Sequence, residues 1–407
     1  MNQTTLPCPT TDLDMTTWEF AQNPYAAMEE WRALGPVVYN AFHDRYMVTS
    51  YRNCAKVLGN VKQFNSQPHV EAFVRLFGGV TMEAIDSPRH HEMKAVWAPY
   101  FRRDTLEARR PMIERIVGAR VDGFVERVRS GEVVDAIPHM TRGIPTYVIA
   151  EMLGVESSMM QQFAEWSDAI GASADGALDP TPRGQELLAA GDAATRDLNA
   201  YVANAVRERR AGPTDADDLI SRMVHHEFAD SMEEQEIIAS NTQLVFAGNE
   251  TTATLMASTL LALGQHPDQR RAVVADRSLI PQVFEEVLRW ATITQAIPRY
   301  ACSEDSAIEG VPIPVGARIM PLQGAGNRDP ERWERPTEFD IFREQKQHLG
   351  FGFGMHVCLG ANLARLESQI WLNALLDAMP DYVVAWPVEY GRNFSLRGPA
   401  NAPIALA

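Results

Sequence analysis

Apolar positions recur at three- and four-residue steps over most of the chain, the spacing that lines one face of an α-helix. From Arg110 to Arg129 they fall at Ile113, Ile116, Val117, Val121, Phe124, Val125 and Val128, which predicts a helix with one core-facing stripe. Met232 to Gln265 predicts a helix of roughly thirty residues, about 45 Å long, stopped at His266-Pro267. Another helical stretch begins near Ile280, and a further one runs from Ala361 to Trp371. Strand signals are confined to Tyr46–Tyr51 and to Ala307–Leu322, where Gly310-Val311-Pro312 and Val315-Gly316-Ala317 punctuate a hairpin. A mainly α protein with a small β region follows.

Two stretches break the pattern. GASADGALDPTPRG, residues 171–184, predicts an exposed and mobile loop, either covering a site or merely connecting helices. Ala247-Gly248-Asn249-Glu250-Thr251-Thr252 puts glycine, polar groups and a carboxylate in the middle of the long apolar helix. Glycine and threonine weaken a helix interior, and threonine diverts a backbone carbonyl, so a local bulge is expected there.

Of the 407 residues, 45% are hydrophobic, enough to bury a large cofactor, and no linker or internal repeat divides the chain. One domain over residues 1–407 is expected, with residues 1–15 as an N-terminal tail. The 53 acidic residues outnumber the 37 basic ones, for a net charge of −16, which disfavours nucleic acid as a partner. Met1 to Asp14 carries neither a targeting pattern nor an apolar run able to span a bilayer, so a cytoplasmic protein without a membrane anchor is expected. The cysteines Cys8, Cys54, Cys302 and Cys358 form no CxxC pair and have no histidine at zinc-ligand spacing. Each must be judged alone.

Cys358 stands apart by context. In Phe351-Gly352-Phe353-Gly354-Met355-His356-Val357-Cys358-Leu359-Gly360 it precedes a helix start, where free amides and the helix dipole favour a thiolate. Glycines 352, 354 and 360 allow close approach of something flat, with Phe351 and Phe353 packed beside it. A thiolate ligand to haem iron fits better than a nucleophile, because His356, two residues away on a tight loop, is poorly placed as a base.

FGFGMHVCLG resembles the cysteine-ligand loop of the cytochrome P450 superfamily, and further elements of that family occur in the right order across the chain. The resemblance implies the cytochrome P450 fold, haem b (iron protoporphyrin IX) as cofactor and Cys358 as the axial ligand. It implies that Glu286 and Arg289, one helical turn apart, are buried and joined by Arg343 in a structural network beneath the haem loop. Asp86-Ser87-Pro88-Arg89-His90-His91 resembles the segment whose histidine binds a haem propionate. His90, Arg299 and His356 then form the propionate set, with Lys94 where the family often has arginine. Phe351 and Gly360 complete the cofactor contacts.

Glu250-Thr251 resembles the acid–alcohol pair of the distal helix, which implies a hydroxyl that hydrogen-bonds dioxygen and an acid that relays protons. Phe73, Phe77, Val80, Leu244, Ala247, Ile293, Ile297 and Phe394 lie in segments resembling the substrate-contact regions and suggest a compact apolar pocket. The implied reaction is monooxygenation of a small hydrophobic, aromatic or terpenoid-like substrate by hydroxylation or O-dealkylation. Electrons would come from a soluble ferredoxin or flavodoxin with its reductase, docked near Arg102, Arg103, Arg109, Arg110 and Arg365. A peroxide-driven haem-thiolate enzyme, or a non-catalytic haem-thiolate sensor or carrier, stand as the alternatives.

Overall fold

The stripe from Ile113 to Val128 is buried along the whole of helix Arg110–Arg129, as its spacing predicts. That helix lies against Ala361–Ala378, which runs seven residues beyond the expected Trp371, and against Gly143–Met152. The computed structural model describes residues 8–67, 70–177, 179, 181–212 and 217–407. About 59% of the chain is helical.

At the centre runs helix Glu234–Gln265, begun by a capping box in which Glu233 and Glu236 exchange bonds between side chains and backbone. It packs against Gly143–Met152, Met160–Gly176, Pro182–Ala211, Ile280–Trp290 and Ala361–Ala378. One large apolar core, including Trp97, Phe124, Phe284 and Trp371, gathers around it.

A six-stranded sheet stands to one side, in the order Thr10–Thr11, Val38–Asn40, Arg45–Val48, Arg318–Pro321, Arg299–Ala301, Phe64–Asn65. Arg45–Val48 pairs in parallel with Arg318–Pro321, Tyr46 facing Ile319. The hairpin Ala307–Ile308 with Val311–Pro312 is present as expected.

Three expectations are corrected. The strand at Tyr46 ends at Val48, because Ser50 caps a helix that starts at Tyr51 and accepts a bond from Asn53 N–H at 3.3 Å. Residues 8–15 are not a loose tail: Thr10–Thr11 joins the sheet beside Val38–Asn40, and Met15 is buried. Residues 1–7 lie outside the described residues.

Most of the expected loop 171–184 is helical, since Met160–Gly176 continues through it and Pro182–Ala211 begins before its end; residues 178 and 180 lie outside the described residues. Its small residues serve helix packing. A Cβ on Gly176 would strike Leu187, and one on Gly191 would strike Ser173, so the two helices approach closely because these positions are glycine.

Candidate functional site

The cysteine loop is pinned before it reaches Cys358. Leu349 N–H donates to Asn327 Oδ1 at 2.7 Å, and the Leu349 carbonyl accepts from Gln323 Nε2 at 2.7 Å. Cys358 N–H then donates to the Phe351 carbonyl at 2.9 Å. Gly354 has a φ of +73°, and a Cβ there would lie 2.8 Å from Gly59 Cα, so only glycine lets the loop touch helix Tyr51–Gly59. Phe353 packs on that same Gly59. These two residues therefore hold the loop to a helix rather than face a flat ligand as expected. Phe351, half-buried, stacks under the Arg365 guanidinium at 4.5 Å.

Cys358 is accessible to a water-sized probe although protein encloses it, so its thiol faces an internal void. Burial pushes the thiol up to about 11, and the Gly360 N–H, Lys94 and Arg365 only partly oppose that rise. Ionisation needs a positive partner in the void, which a coordinated metal ion supplies.

The long helix borders a void as well. Residues 237–245 are buried, accessibility returns at Phe246, Ala247, Gly248, Glu250 and Thr251, and burial resumes at Thr252. Glu83, likewise accessible yet enclosed, ties the two walls together. Its carboxyl lies beside Gln243 of the long helix and within electrostatic reach of both Arg299 and Cys358.

The helix is unbroken across 247–252, without the expected bulge. The Thr251 hydroxyl donates to the Ala247 carbonyl at 2.9 Å, which turns its lone pairs outward as acceptors. Asn249 Nδ2 donates to Ser167 Oγ at 2.6 Å, and a Cβ on Gly171 would lie 3.1 Å from Glu250 Oε2. Helix Met160–Gly176 therefore lies against Asn249 and Glu250 and takes one bond from the Asn249 amide, while Asn249 Oδ1 is left without a partner.

On a third side, His90 and Arg299 are buried, and His90 Nδ1 and Arg299 Nε have no hydrogen-bond partner. Burial, then the nearby His356, Lys94 and His91, hold His90 down at about 4, and burial holds Arg299 at about 10. Buried donors short of partners are what a cofactor's carboxylates would satisfy, so the residues present fit a haem. His356, 4.4 Å from the His90 ring, is already engaged: its Nε2 meets Asp86 Oδ1 at 3.0 Å and Ser66 Oγ at 3.1 Å. Lys94 meets the cysteine loop as well. Its Nζ donates to the carbonyls of Met355 at 3.0 Å and Val357 at 2.9 Å, so it braces the cysteine loop.

Beneath the loop, Arg289 and Glu286 form a buried bidentate pair at 2.8 and 2.7 Å, and Arg343 Nε approaches Glu286 Oε1 at 3.5 Å. Arg289 also donates to the carbonyls of Asn327, Pro336 and Glu338, and Asp340 N–H donates to Glu286 at 2.9 Å.

A second cluster stands nearby. Burial alone would raise the Glu285 carboxyl, but His348 at 3.1 Å and Arg365 at 2.6 Å outweigh it and hold Glu285 at about 2, below its ordinary 4.5. A depressed carboxylate stabilises the fold fully above its unfolded pKa and loses that contribution as pH falls through the folded one. Glu285→Gln is expected to cost about 3 kcal/mol at neutral pH, with the difference from wild type vanishing between pH 4.5 and 2. Urea unfolding across that range checks it.

The expected pocket residues divide. Phe73, Val80, Ala247 and Ile297 are partly accessible, whereas Leu244, Ile293 and Phe77 are buried, Phe77 lying between Phe73 and Phe246 at ring distances of 5.4 and 5.6 Å. Phe394 is corrected: it packs against Phe20 at 5.0 Å in a separate core with Trp31. Asp86, Glu83, Gln243 and Phe246 were not singled out from the sequence.

A cytochrome P450 family profile matches residues 16–378. The biotin biosynthesis cytochrome P450 of Bacillus subtilis is 31% identical over 95% of this chain and 97% of its own length. The mycinamicin IV hydroxylase/epoxidase of Micromonospora griseorubida is 31% identical over 93% and 94%. The solved structure of the cytochrome P450 PksS of the Bacillus subtilis bacillaene polyketide synthase superposes with a TM-score of 0.85 at 29% identity, over 97% of this chain and all of that one.

Proposed function

The chain belongs to the cytochrome P450 family and is a monooxygenase, and from that premise we propose that it inserts one oxygen atom from dioxygen into a small, largely apolar molecule. Hydroxylation and O-dealkylation are the outcomes we assign, and an aromatic or terpenoid skeleton suits the apolar walls. Haem b would supply the oxygen-activating chemistry, with Cys358 as the residue that would hold its iron.

The observation that carries this reading is the accessible yet enclosed thiol of Cys358, linked through Glu83 to Arg299 and to Gln243 of the long helix, together with unpartnered His90 Nδ1 and Arg299 Nε. Cys358 Sγ would hold the iron, with Phe351 and Gly360 flanking the sulfur. His90 and Arg299 would take the haem carboxylates, and His356, already held by Asp86, would stand beside them. Lys94 would fix the loop.

Thr251 Oγ1, its proton given to Ala247, offers an acceptor to the void, while the Glu250 carboxyl, one residue away, lies against helix Met160–Gly176 as the group to relay protons. This acid–alcohol pair favours the dioxygen route over peroxide-driven chemistry or simple haem carriage. Thr251→Ala is expected to lower product formed per electron consumed by about 100-fold, with the electrons recovered as hydrogen peroxide, and Thr251→Ser to keep most of the coupling. A peroxide assay run beside product analysis measures both.

Electrons would arrive from a separate soluble ferredoxin or flavodoxin and its reductase. Arg109, Arg110 and Arg365 are engaged with Asp217, Glu107 and Glu285, whereas Arg102 and Arg103 are exposed and better placed to meet an acidic donor. Arg102→Glu with Arg103→Glu should slow reduction and flatten its salt dependence in stopped-flow traces. Unchanged traces would remove these arginines from the docking surface. The central test is the difference spectrum of the reduced protein with carbon monoxide, where a thiolate-type band supports the reading and an imidazole-type band overturns it.

A further inference from the structure

Residues 78–83 run along the long helix and meet it once per turn. The Gly78 carbonyl accepts from Gln235 Nε2 at 2.9 Å, a Cβ on Gly79 would lie 2.8 Å from Ala239 Cβ, and Glu83 lies beside Gln243. Positions 235, 239 and 243 are four apart, and the same step continues to Ala247 and Thr251, drifting about 40° around the helix each time. The segment covers the first three positions and leaves the last two open to the void. Glu83 therefore stands at the edge of the site, with Gln243 about 12 Å along the helix axis from Thr251 and about 80° around it.

This corner is polar where the neighbouring walls are apolar. Gln243 is 2% exposed and its Nε2 lacks a hydrogen-bond partner of full geometry. Ser240, one turn earlier, and Thr81, two residues before Glu83, are buried with unpartnered hydroxyls. Arg299 is the nearby cation, and it is drawn toward the haem carboxylates by the same lack of partners that marks His90. Once Arg299 is so engaged, Glu83 has no positive partner of its own. Burial already raises its pKa.

We propose that Glu83, assisted by Gln243, anchors the substrate, and that the substrate is an amphiphilic cation whose protonated or quaternary amine sits on Glu83 while an apolar carbon about 10 Å away is oxidised beside Thr251. The proposal rests on the monooxygenase reading and refines its apolar pocket. An enclosed carboxylate discriminates strongly between charges, because an anion placed against it is repelled at low dielectric while a cation is paired.

Three probes of equal chain length test it on the haem-loaded enzyme: dodecyltrimethylammonium, which has no lone pair to coordinate iron, dodecanol and dodecanoate. Binding is read by the water-displacement shift of the haem band and independently by calorimetry. The cation should bind wild type at least about tenfold more tightly than dodecanoate, and Glu83→Gln should abolish most of that preference while haem content stays unchanged. Gln243→Leu should weaken the cation several-fold, and serves if Glu83→Gln does not fold. Equal affinities, a preference for dodecanoate, or a cation preference that survives Glu83→Gln would overturn the proposal. Loss of haem from a folded Glu83→Gln protein would overturn it too, by assigning Glu83 to the cofactor. A wild type without a thiolate-type carbon monoxide band would instead remove the monooxygenase reading beneath it.

Discussion

A Cys358→Ala protein is expected to fold and yet lose the thiolate-type carbon monoxide band and all turnover above background. The thiol faces a void, so its removal opens no hole in packed core, and the unfolding free energy of the haem-free protein should change by less than about 0.5 kcal/mol. The loop keeps its backbone bond from Cys358 N–H to the Phe351 carbonyl, which needs no side chain. What disappears is the one thiol on the loop. Two measurements separate the effects: the reduced carbon monoxide spectrum reports the ligand, and urea unfolding without haem reports the fold. A variant that kept the thiolate-type band would remove Cys358 from the metal.

Glu286→Gln should carry the largest cost to stability, about 3 to 5 kcal/mol, because it leaves the buried Arg289 and Arg343 facing a neutral amide. A typical folded protein has only about 5–15 kcal/mol in hand, so such a loss is a large share of the total. The damage should spread to the cofactor site. Arg289 holds the Asn327 carbonyl, and Asn327 in turn holds Leu349, the residue two before Phe351. Haem loss should therefore begin at lower denaturant concentration than in wild type, before the helical signal falls. If haem release and helix unfolding stayed coincident in both proteins, the network would be serving the fold at large and not the loop.

That network was legible in the sequence only in part. Spacing alone puts Glu286 and Arg289 on one helix face, where they could equally be a solvated ion pair, and it was the resemblance to the family that implied their burial and Arg343 as the third member. The stripe on Arg110–Arg129 was legible because burial alone sets its period. Lys94 was harder: its spacing from His90 puts it on the correct side of its helix, but spacing does not choose between a carboxylate and the carbonyls of Met355 and Val357.

The small residues of 171–176 look alike in a loop and at a close helix contact, and only the partner helix at Gly184 and Gly191 distinguishes the two. Glu83 carried no local signal at all. In Met82-Glu83-Ala84 it looks like any solvated carboxylate, and only the path of residues 78–83 along Gln235, Ala239 and Gln243 turns it inward.

Helix Met160–Gly176 does two jobs at once. It is held tightly to Pro182–Ala211 through glycine contacts, and it supplies Ser167 and Gly171 as the wall for Asn249 and Glu250. Any displacement of the helix pair so joined would take that wall away from the acid. An open enzyme would then have a misaligned proton donor, and only a closed one an aligned donor. Oxygen chemistry would be timed to begin after the helix pair has shut over its cargo, a safety interlock written into helix packing.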